Sequence, residues 1–324
     1  MAKKIDTEML LSLYRTMLLI RTTENCLAQL FADGEVPGFV HLSIGQEGVP
    51  AGVMSALDHR DTMASNHRGH GHVVARGIDL ALFFKEIMGK AGGICGGRGG
   101  SMHVADLDLG ILGANGIVGA GIPIALGSAL AHSVRKTDGV AVVFFGDGAM
   151  AEGVFHESLN LAALWKLPLF FVCENNGWAE FTPTSKQFVG ELGALAQAFK
   201  VPYVQVDGND VEAVATTARR CVAAIREGGG PSVLECKTHR VSGHFAGDAQ
   251  KYRAPEDIKE ALAADPIKRI EEVLRSQKVT EEILDAVRTS LEAQVVEAIE
   301  EARADGPADF ARALEDVYTS ATPN

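Results

Sequence analysis

The sequence lacks several features that would point to membranes, nucleic acids or disulfide chemistry. No apolar run reaches the roughly 18 residues that cross a bilayer. Asp and Glu (42) outnumber Lys and Arg (30), and the net charge of −12 argues against nucleic acids and anionic membranes as partners. The five cysteines include no Cys-x-x-Cys motif, and we expect them to be reduced. The chain opens on neither a signal nor a transit peptide, so we expect a cytoplasmic protein from a prokaryote.

What is present indicates a large globular core, since 47% of the 324 residues are apolar. A first helix is predicted from a cap at Asp6 or Thr7 to about Phe31. β-branched and aromatic runs predict strands at 140–145, 167–173, 201–206 and 232–236, and helices are predicted at 122–134, at 152–165 and between the last two strands. This alternation predicts a doubly wound α/β fold with a mostly parallel sheet and helices on both faces.

The composition changes at about residue 255, where charged helix-forming residues take over. An apolar stripe at i, i+4 spacing follows Thr280 and consists of Ile283, Val287, Leu291 and Val295. We predict that this helix stops at Gly306-Pro307 and that a tail helix follows at about 310–318. The predicted division is therefore an α/β domain at 1–254 and, at 255–324, helices that pack on the core or on a partner.

The most informative feature is a pair of polar turns joined by one strand–helix–strand unit. Gly146-Asp147-Gly148 follows the first strand and Glu174-Asn175-Asn176 follows the second. These turns should meet at the carboxyl ends of adjacent parallel strands, where open α/β sheets bind ligands. Carboxylate, amide and backbone oxygens suit Mg²⁺, and glycines let the backbone approach a bulky anion.

Peptide N–H groups at the start of the following helix are expected to face that anion. The predicted ligand is therefore a diphosphate with Mg²⁺. A buried Asp that caps one turn, followed by an ordinary second turn, is the simpler alternative. The glycine-rich stretch at 90–121 is either flexible or moulded around a ligand, and the apolar elements on both sides of it favour moulding.

The two turns resemble the thiamine-diphosphate signature shared by transketolases and 2-oxo acid dehydrogenases. Six further blocks follow one another along the chain: Leu18-Leu19-Ile20-Arg21, Gly45-Gln46-Glu47, Arg68-Gly69-His70-Gly71, Gly99-Gly100-Ser101-Met102-His103, Asn115-Gly116-Ile117-Val118-Gly119 and the segment 160–168. From about residue 8 to about residue 260, the chain resembles the alpha subunit of the first component of the pyruvate, branched-chain 2-oxo acid and acetoin dehydrogenase complexes. The resemblance implies a thiamine-diphosphate-binding α/β fold.

The resemblance also implies a cofactor site at named positions. Mg²⁺ would be held by Asp147, Asn176 and the backbone carbonyl of Trp178. The implied cofactor-binding set comprises His67, Arg68, Gly116, Val118, Asp147, Gly148, Ala149, Asn176, Trp178, Arg240 and His244. The two arginines suit a diphosphate, because guanidinium groups bind phosphate oxygens bidentately. The turn from Gly116 to Val118 would present its backbone to the aminopyrimidine ring.

Two histidines are candidates for catalysis, because imidazole transfers protons near neutral pH. His244 matches the family's loop histidine near the reacting carbon, and His41 matches one that faces the substrate. His70 and His103 are further candidates. For each of them, a structural hydrogen-bonding role is the alternative.

The reaction and the partners follow from the same resemblance. The family uses thiamine diphosphate to cleave the bond next to a carbonyl group, so that pyruvate loses carbon dioxide and acetoin loses acetaldehyde, and the acetyl group passes to lipoamide. A glutamate from the beta subunit activates the cofactor. We therefore expect an α2β2 heterotetramer with the cofactor between subunits, a lipoyl-bearing acyltransferase partner, and little activity from this chain alone.

The loop around His244 favours acetoin as the substrate. Phe245 and Gly247 stand where pyruvate-type enzymes tend to have Ser, and neutral acetoin needs no carboxylate clamp. The missing serines also argue against the phosphorylation control of mitochondrial relatives. The segment 178–184 departs from the family's usual pattern, so pyruvate or a branched-chain 2-oxo acid stays open as the alternative.

Three other functions compete with this one. The segment 119–121 resembles a dinucleotide-binding loop, but Ile124 stands where the third glycine belongs and no apolar strand leads into it. His67, His70 and His72 are close enough in sequence to suggest zinc, but no Cys completes a tetrahedral site. A non-enzymatic interaction subunit would have no use for the acid, amide, arginine and histidine of the predicted site.

Overall fold

A single parallel sheet organises the protein, of which a computed structural model describes residues 5–309 and 311. The strands of this part are β1 (Thr62–Ala64), β2 (Ile111–Gly113), β3 (Ala141–Gly146), β4 (Leu169–Asn175), β5 (Trp178–Ala179), β6 (Thr182–Pro183), β7 (Tyr203–Asp207) and β8 (Ser232–Lys237). Six of them form the sheet in the order β2-β1-β3-β4-β8-β7, and every neighbouring pair is parallel. Strands β5 and β6 form a separate antiparallel hairpin.

Helices cover both faces of this sheet. In chain order they are α1 (Thr7–Ala32), α2 (Gly48–Met54), α3 (His70–Ala75), α4 (Leu80–Ile87), α5 (Gly121–Arg135), α6 (Gly153–Trp165), α7 (Leu192–Ala198), α8 (Val211–Ala224), α9 (Pro255–Ala263), α10 (Pro266–Ser276) and α11 (Glu281–Ala304). Helices α5, α6 and α7 share a core with one face, and α2, α3 and α8 share the core of the other, together with α1, α4 and α11. The predicted doubly wound fold is confirmed.

The two central strands are buried on both sides, which explains their unbroken apolar sequences. Successive side chains of a strand point to opposite faces. In β3, Val142 and Phe144 therefore lie in one core, whereas Val143 and Phe145 lie in the other. Because both faces of the strand are buried, every residue along it is apolar.

The sheet has a topological switch point between β1 and β3. From β1 the chain crosses through α3 and α4 to the outer strand β2, whereas from β3 it crosses through α6 to β4 on the opposite side. These connections leave the sheet in opposite directions and on opposite faces, so a crevice opens at the carboxyl ends of the two strands.

Most predicted elements are present, and the differences are local. Asp6 caps α1 by accepting a hydrogen bond from the Met9 backbone amide. Strands β1 and β2 were not predicted, because three residues are too few to show a periodic pattern. The helix predicted at 152–165 is confirmed as α6 (Gly153–Trp165), and a 3₁₀ turn at Asp147–Ala151 separates it from the end of β3.

The C-terminal helices pack against the α/β core. Val295, Ala298 and Ile299 of α11 join the same apolar cluster as the sheet, and α10 packs with α1. One member of the predicted stripe is wrong, because Ile283 is 44% exposed and its neighbour Leu284 is fully buried instead. The division at residue 255 stays a prediction, and the predicted tail helix lies, apart from Ala311, outside the described residues. None of the helices described combines the length and apolarity that crossing a bilayer requires.

Candidate active site

A cavity of about 560 Å³ lies at the carboxyl ends of β1, β3 and β4, at the switch point of the sheet. Each strand delivers polar residues to its wall: Asn66 follows β1, Asp147 follows β3 and Asn176 follows β4. All twelve predicted site residues line this cavity, namely His41, His67, Arg68, Gly116, Val118, Asp147, Gly148, Ala149, Asn176, Trp178, Arg240 and His244. The fold thus brings the whole set together, whereas the role of each residue stays a prediction.

The predicted metal ligands sit side by side because β3 and β4 pair in register. Gly146 pairs with Glu174, so the turns that follow these residues are adjacent. The Asp147 carboxylate is buried and accepts hydrogen bonds from the Thr184 hydroxyl and the backbone amide of Asn176. Burial raises the pKa of Asp147, and these hydrogen bonds oppose the rise. A metal cation at this carboxylate would hold it in the ionised form.

Two buried guanidinium groups give the cavity a positive potential. Arg68 donates to the carbonyl oxygens of Leu42 (2.5 Å) and His244 (3.0 Å), and Arg240 donates to the Glu180 carbonyl (3.1 Å) and the Tyr252 hydroxyl (2.8 Å). Burial, followed by the charge of Arg240, lowers the pKa of Arg68 to about 10. Burial also lowers the pKa of Arg240.

Neither guanidinium has a carboxylate within ion-pair distance in the described part of the chain. Two buried cations with no carboxylate in direct contact are electrostatically costly, although Glu24 and Glu174 act on Arg68 and Asp248 and Asp147 act on Arg240 from a longer distance. An anionic ligand that lies between Arg68 and Arg240 would remove this cost. The arrangement therefore suits a diphosphate.

Three histidine rings cluster beside the arginines. The ring centroids of His41 and His67 are 4.8 Å apart, those of His41 and His244 are 4.9 Å apart, and those of His67 and His244 are 5.5 Å apart. Burial and the charge of Arg68 lower the pKa of His41 to about 3 and that of His244 to about 4, and they lower the pKa of His67 well below its usual value. All three imidazoles are therefore neutral near pH 7.

The environment of His244 also fixes its tautomer. Its Nδ1 atom lies 3.5 Å from Nη2 of Arg68 and 3.3 Å from Nη1 of Arg240. Guanidinium nitrogens are donors only, so Nδ1 must accept and the ring proton resides on Nε2. The His244 backbone amide is held by the Asp248 carboxylate at 2.7 Å, and this carboxylate also accepts the Tyr252 hydroxyl at 2.6 Å. The loop therefore presents an N–H donor from a fixed position.

The wall of the cavity suits a polar ligand at several further points. Four buried polar atoms of lining residues have no hydrogen-bond partner among the described residues: His41 Nδ1, Gln46 Nε2, Gln187 Oε1 and Arg240 Nε. A Cβ added at Gly146 would meet no atom within 4 Å, so the missing side chain leaves open space. A metal–diphosphate with a polar ring could use both the unpaired groups and this space, and the residues present therefore fit such a cofactor.

The sequence analysis missed some lining residues because they come from distant or irregular segments. Gln187 follows the hairpin, lines the cavity and donates to the Gly148 carbonyl at 2.7 Å, whereas Thr184 contributes through its hydrogen bond to Asp147. No local pattern marks these residues. Gln46 belongs to a block quoted for the resemblance, but no role was given to it. Lys186 and Glu152 also line the cavity.

Other candidates lie elsewhere. Phe245 packs edge-on against Phe39, with ring centroids 5.8 Å apart, and neither ring lines the cavity. His70 lies between Glu24 and Ser101, away from the cavity.

The histidines of the zinc alternative, His67, His70 and His72, do not gather around one point in the described part of the chain. His72 bonds to Ser65 (2.7 Å) and Glu174 (3.1 Å), so both of its ring nitrogens are already engaged. His103 bonds to the Gly99 carbonyl and does not line the cavity either. The structure therefore gives no support to the zinc alternative.

Similarity to known proteins agrees with this geometry. A family model described as "Dehydrogenase E1 component" matches residues 14–310. The chain belongs to this family. The E1 family depends on thiamine diphosphate, so the resemblance found in the sequence is confirmed, as is its assignment to oxidoreductases.

The relatives named below are alpha subunits. The chain is 46% identical to the alpha subunit of acetoin:2,6-dichlorophenolindophenol oxidoreductase from Cupriavidus necator, over 98% of this chain and 97% of that one. It is 46% identical to the protein of the same name from Bacillus subtilis, over 92% and 89% of the two chains. It is 40% identical to the pyruvate dehydrogenase E1 component subunit alpha of Zymomonas mobilis, over 97% and 89%.

Proposed function

We propose that this chain is the alpha subunit of a thiamine-diphosphate- and Mg²⁺-dependent dehydrogenase that cleaves acetoin next to its carbonyl group and transfers the acetyl group to lipoamide. Sequence identity supports this proposal, because it is higher with the two acetoin oxidoreductase alpha subunits (46%) than with the Zymomonas mobilis pyruvate dehydrogenase alpha subunit (40%). The observation that carries the substrate choice is the neutral histidine cluster. The side chains clustered beside the two arginines are His41, His67 and His244, and none of these imidazoles carries a charge that would bind a carboxylate; Lys186 is a further cation of the cavity wall.

Within this proposal, each wall of the cavity has its own task. Asp147, Asn176 and the Trp178 carbonyl hold the metal, an oxygen set that suits Mg²⁺. Arg68 and Arg240 hold the diphosphate, together with the 3₁₀ turn that contains Gly148 and Ala149, while His67 lines the wall beside Arg68. The backbone from Gly116 to Val118 contacts the aminopyrimidine. When bound, thiamine diphosphate supplies the electron sink that makes cleavage next to a carbonyl group possible.

The residues of this chain contribute orientation and proton transfer. His244 has its Nδ1 held by the arginines, so its Nε2–H points away from them and can donate to an oxygen of the substrate. His41 carries an unpaired buried Nδ1 and is placed to receive a proton or to hold the substrate hydroxyl. A neutral imidazole can do both without the strong attraction that a cation would exert on a carboxylate substrate.

The proposal includes a beta subunit in an α2β2 assembly, with the cofactor between the subunits. Three apolar side chains lie exposed at or next to the cavity: Ile117 (74%), Val118 (46%) and Ile124 (45%). Exposed apolar surface of this kind marks a protein interface. A subunit that covered it would also close the cavity. A lipoyl-bearing acyltransferase and a cytoplasmic location complete the proposal, in keeping with five free cysteines.

The test is dye-coupled oxidation by the chain co-expressed with its beta subunit, with thiamine diphosphate and Mg²⁺. We expect kcat/KM for acetoin to exceed that for pyruvate and for branched-chain 2-oxo acids by at least about tenfold, a difference within reach of a few pocket contacts. The second candidate is a pyruvate dehydrogenase alpha subunit, which the Zymomonas mobilis relative favours. A preference for pyruvate would establish that candidate and overturn the acetoin assignment.

A further inference from the structure

The Gly45-Gln46-Glu47 turn fixes a glutamine in the cavity wall. Gly45 has φ +95°, and a Cβ there would lie 2.7 Å from the His239 carbonyl oxygen, so the turn requires glycine. Glu47 is fully buried, pairs with both Nε and Nη2 of Arg21, and accepts the Gly45 amide. Gln46 is therefore held on both sides by a rigid turn, is only 1% exposed, and lines the cavity.

A chain of hydrogen bonds sets the orientation of the Gln46 amide. The Trp178 backbone N–H donates to Oδ1 of Asn176 at 3.1 Å, so this oxygen cannot be exchanged for the amide nitrogen. The Asn176 Nδ2 group then faces Gln46 and donates to its Oε1 at 3.2 Å. Gln46 therefore has its nitrogen on the remaining side, and this Nε2 is buried without a partner in the described residues.

A buried amide donor without a partner is uncommon in folded proteins. If Gln46 had only a structural role, its Nε2–H donor would stay unpaired whether or not a ligand is bound. The other side chain in the chain of bonds, Asn176, is one of the proposed metal ligands, and its second Oδ1 lone pair is free for a cation. The geometry therefore places the Gln46 donor beside the end of the cavity where the metal–diphosphate would lie.

We propose that Gln46 is a positioning and binding residue of the metal–diphosphate site. Its Oε1 holds the Asn176 amide so that Oδ1 faces the metal, and its Nε2–H donates to an oxygen of the bound metal–diphosphate. This inference rests on the proposed function for the identity of the ligand. It gives a role to a block that the sequence alone left without one.

The test is the dissociation constant of thiamine diphosphate, with and without Mg²⁺, measured by calorimetry on the complex with the beta subunit. Gln46→Glu keeps the size of the side chain and the acceptor for Asn176 but replaces the donor by an anionic oxygen. Gln46→Met keeps the length of the side chain and removes both interactions. A hydrogen bond to a charged group corresponds to a roughly ten- to hundredfold change in affinity, so we expect both variants to bind at least about tenfold more weakly in Mg²⁺.

Asn209→Ala is the matched control. Asn209 is a buried amide that donates to the Gly45 carbonyl of the same turn, but it does not line the cavity. We expect a lower unfolding temperature for this variant and an unchanged dissociation constant. An equal loss of affinity in Asn209→Ala and Gln46→Met would assign the effect to the turn as a whole and overturn the inference.

The remaining outcomes are also distinct. Unchanged affinity in Gln46→Glu would refute the donor role, and unchanged affinity in Gln46→Met would refute the positioning of Asn176. If Gln46→Met fails to assemble with the beta subunit, the isosteric Gln46→Glu carries the test alone. If the unsubstituted complex binds no cofactor, the proposed function fails; if it binds cofactor and both variants match it, only the role of Gln46 fails.

Discussion

Replacing Arg68 by Met should separate anion binding from the stability of the protein. The Arg68 guanidinium is buried and donates to two carbonyl oxygens, those of Leu42 and His244, with Arg240 as a nearby like charge. This side chain therefore weakens the cofactor-free fold and strengthens the complex with an anion. Few buried residues are expected to lower the stability of the cofactor-free protein and at the same time raise its affinity for an anion.

The magnitude follows from the pKa of Arg68, which burial and the charge of Arg240 lower from 12.5 to about 10. At about 1.4 kcal/mol per pKa unit, the charged form costs the folded state on the order of 3 kcal/mol. Arg68 is protonated in the folded and the unfolded chain at pH 7. Because its pKa is lower in the folded state, the cost is fully present below about pH 10 and disappears as the pH approaches the unfolded value.

Arg68→Met removes this cost and loses two hydrogen bonds of about 1 kcal/mol each. We therefore expect the cofactor-free variant, assembled with the beta subunit, to unfold within a few degrees of the unsubstituted complex, or above it. Bonds from the guanidinium to a diphosphate contribute about 1.5–3 kcal/mol, so the dissociation constant of thiamine diphosphate should rise at least about tenfold. Thermal unfolding and calorimetric titration measure the two effects.

Arg76→Met is the matched control, because the Arg76 guanidinium also donates to two carbonyl oxygens, and burial lowers the pKa of Arg76 as well. The charges of Asp61 and Asp58 offset the burial of Arg76, whereas Arg68 faces the like charge of Arg240, so the loss of Arg76 should lower the unfolding temperature. Arg76 does not line the cavity, so cofactor affinity should be unchanged. The reasoning would be refuted if Arg68→Met lowered stability as much as Arg76→Met does and left the dissociation constant unchanged.

Four other predictions concern the same site and the C-terminal helices. His244→Gln should keep cofactor affinity and lower turnover by about 10²-fold or more, and near-normal turnover would make His244 structural. Asp147→Asn should abolish the strengthening of cofactor binding by Mg²⁺, which titration with and without the metal measures. Folding lowers the pKa of His41 from 6.5 to about 3 and that of His244 from 6.5 to about 4, so as the pH falls the unfolded chain takes up protons before the folded one does. Stability should therefore decrease as the pH falls from about 6.5 toward 4, and an unfolding temperature that stays constant down to pH 5 would contradict this. Leu284→Ala should cost about 2–5 kcal/mol in chemical denaturation, whereas Ile283→Ala should cost far less.

The central part of the fold could be predicted from the sequence because its pattern is local. Strands β3 and β4 are buried on both faces and therefore consist of continuous apolar runs, each followed by a polar turn. Parallel pairing of two such strands places Asp147 beside Asn176 without further information. Strands β1 and β2 carry no such signal, because three residues cannot show periodicity.

The parts of the site that escaped prediction are created by tertiary structure. Gln187 reaches the cavity, and Thr184 reaches Asp147, because the β5–β6 hairpin packs against the 3₁₀ turn after β3, and nothing in the sequence around them marks this. Ile283 and Leu284 differ by one helical position, and only packing against neighbouring helices decides which is buried. The sequence around Phe245 favours acetoin only as a local pattern. In the structure the Phe245 ring packs on Phe39 and does not line the cavity.

The most direct test of the central claim, that the cavity holds a metal–diphosphate, is a crystal structure of the complex with the beta subunit, grown with thiamine diphosphate and Mn²⁺ in place of Mg²⁺. An anomalous difference map locates the Mn²⁺ ion independently of any assumption about its ligands. We expect one peak at bonding distance from the Asp147 carboxylate, Asn176 Oδ1 and the Trp178 carbonyl oxygen, with the diphosphate between Arg68 and Arg240. A metal peak bound by other residues, or a cofactor seated outside this cavity, would contradict the account.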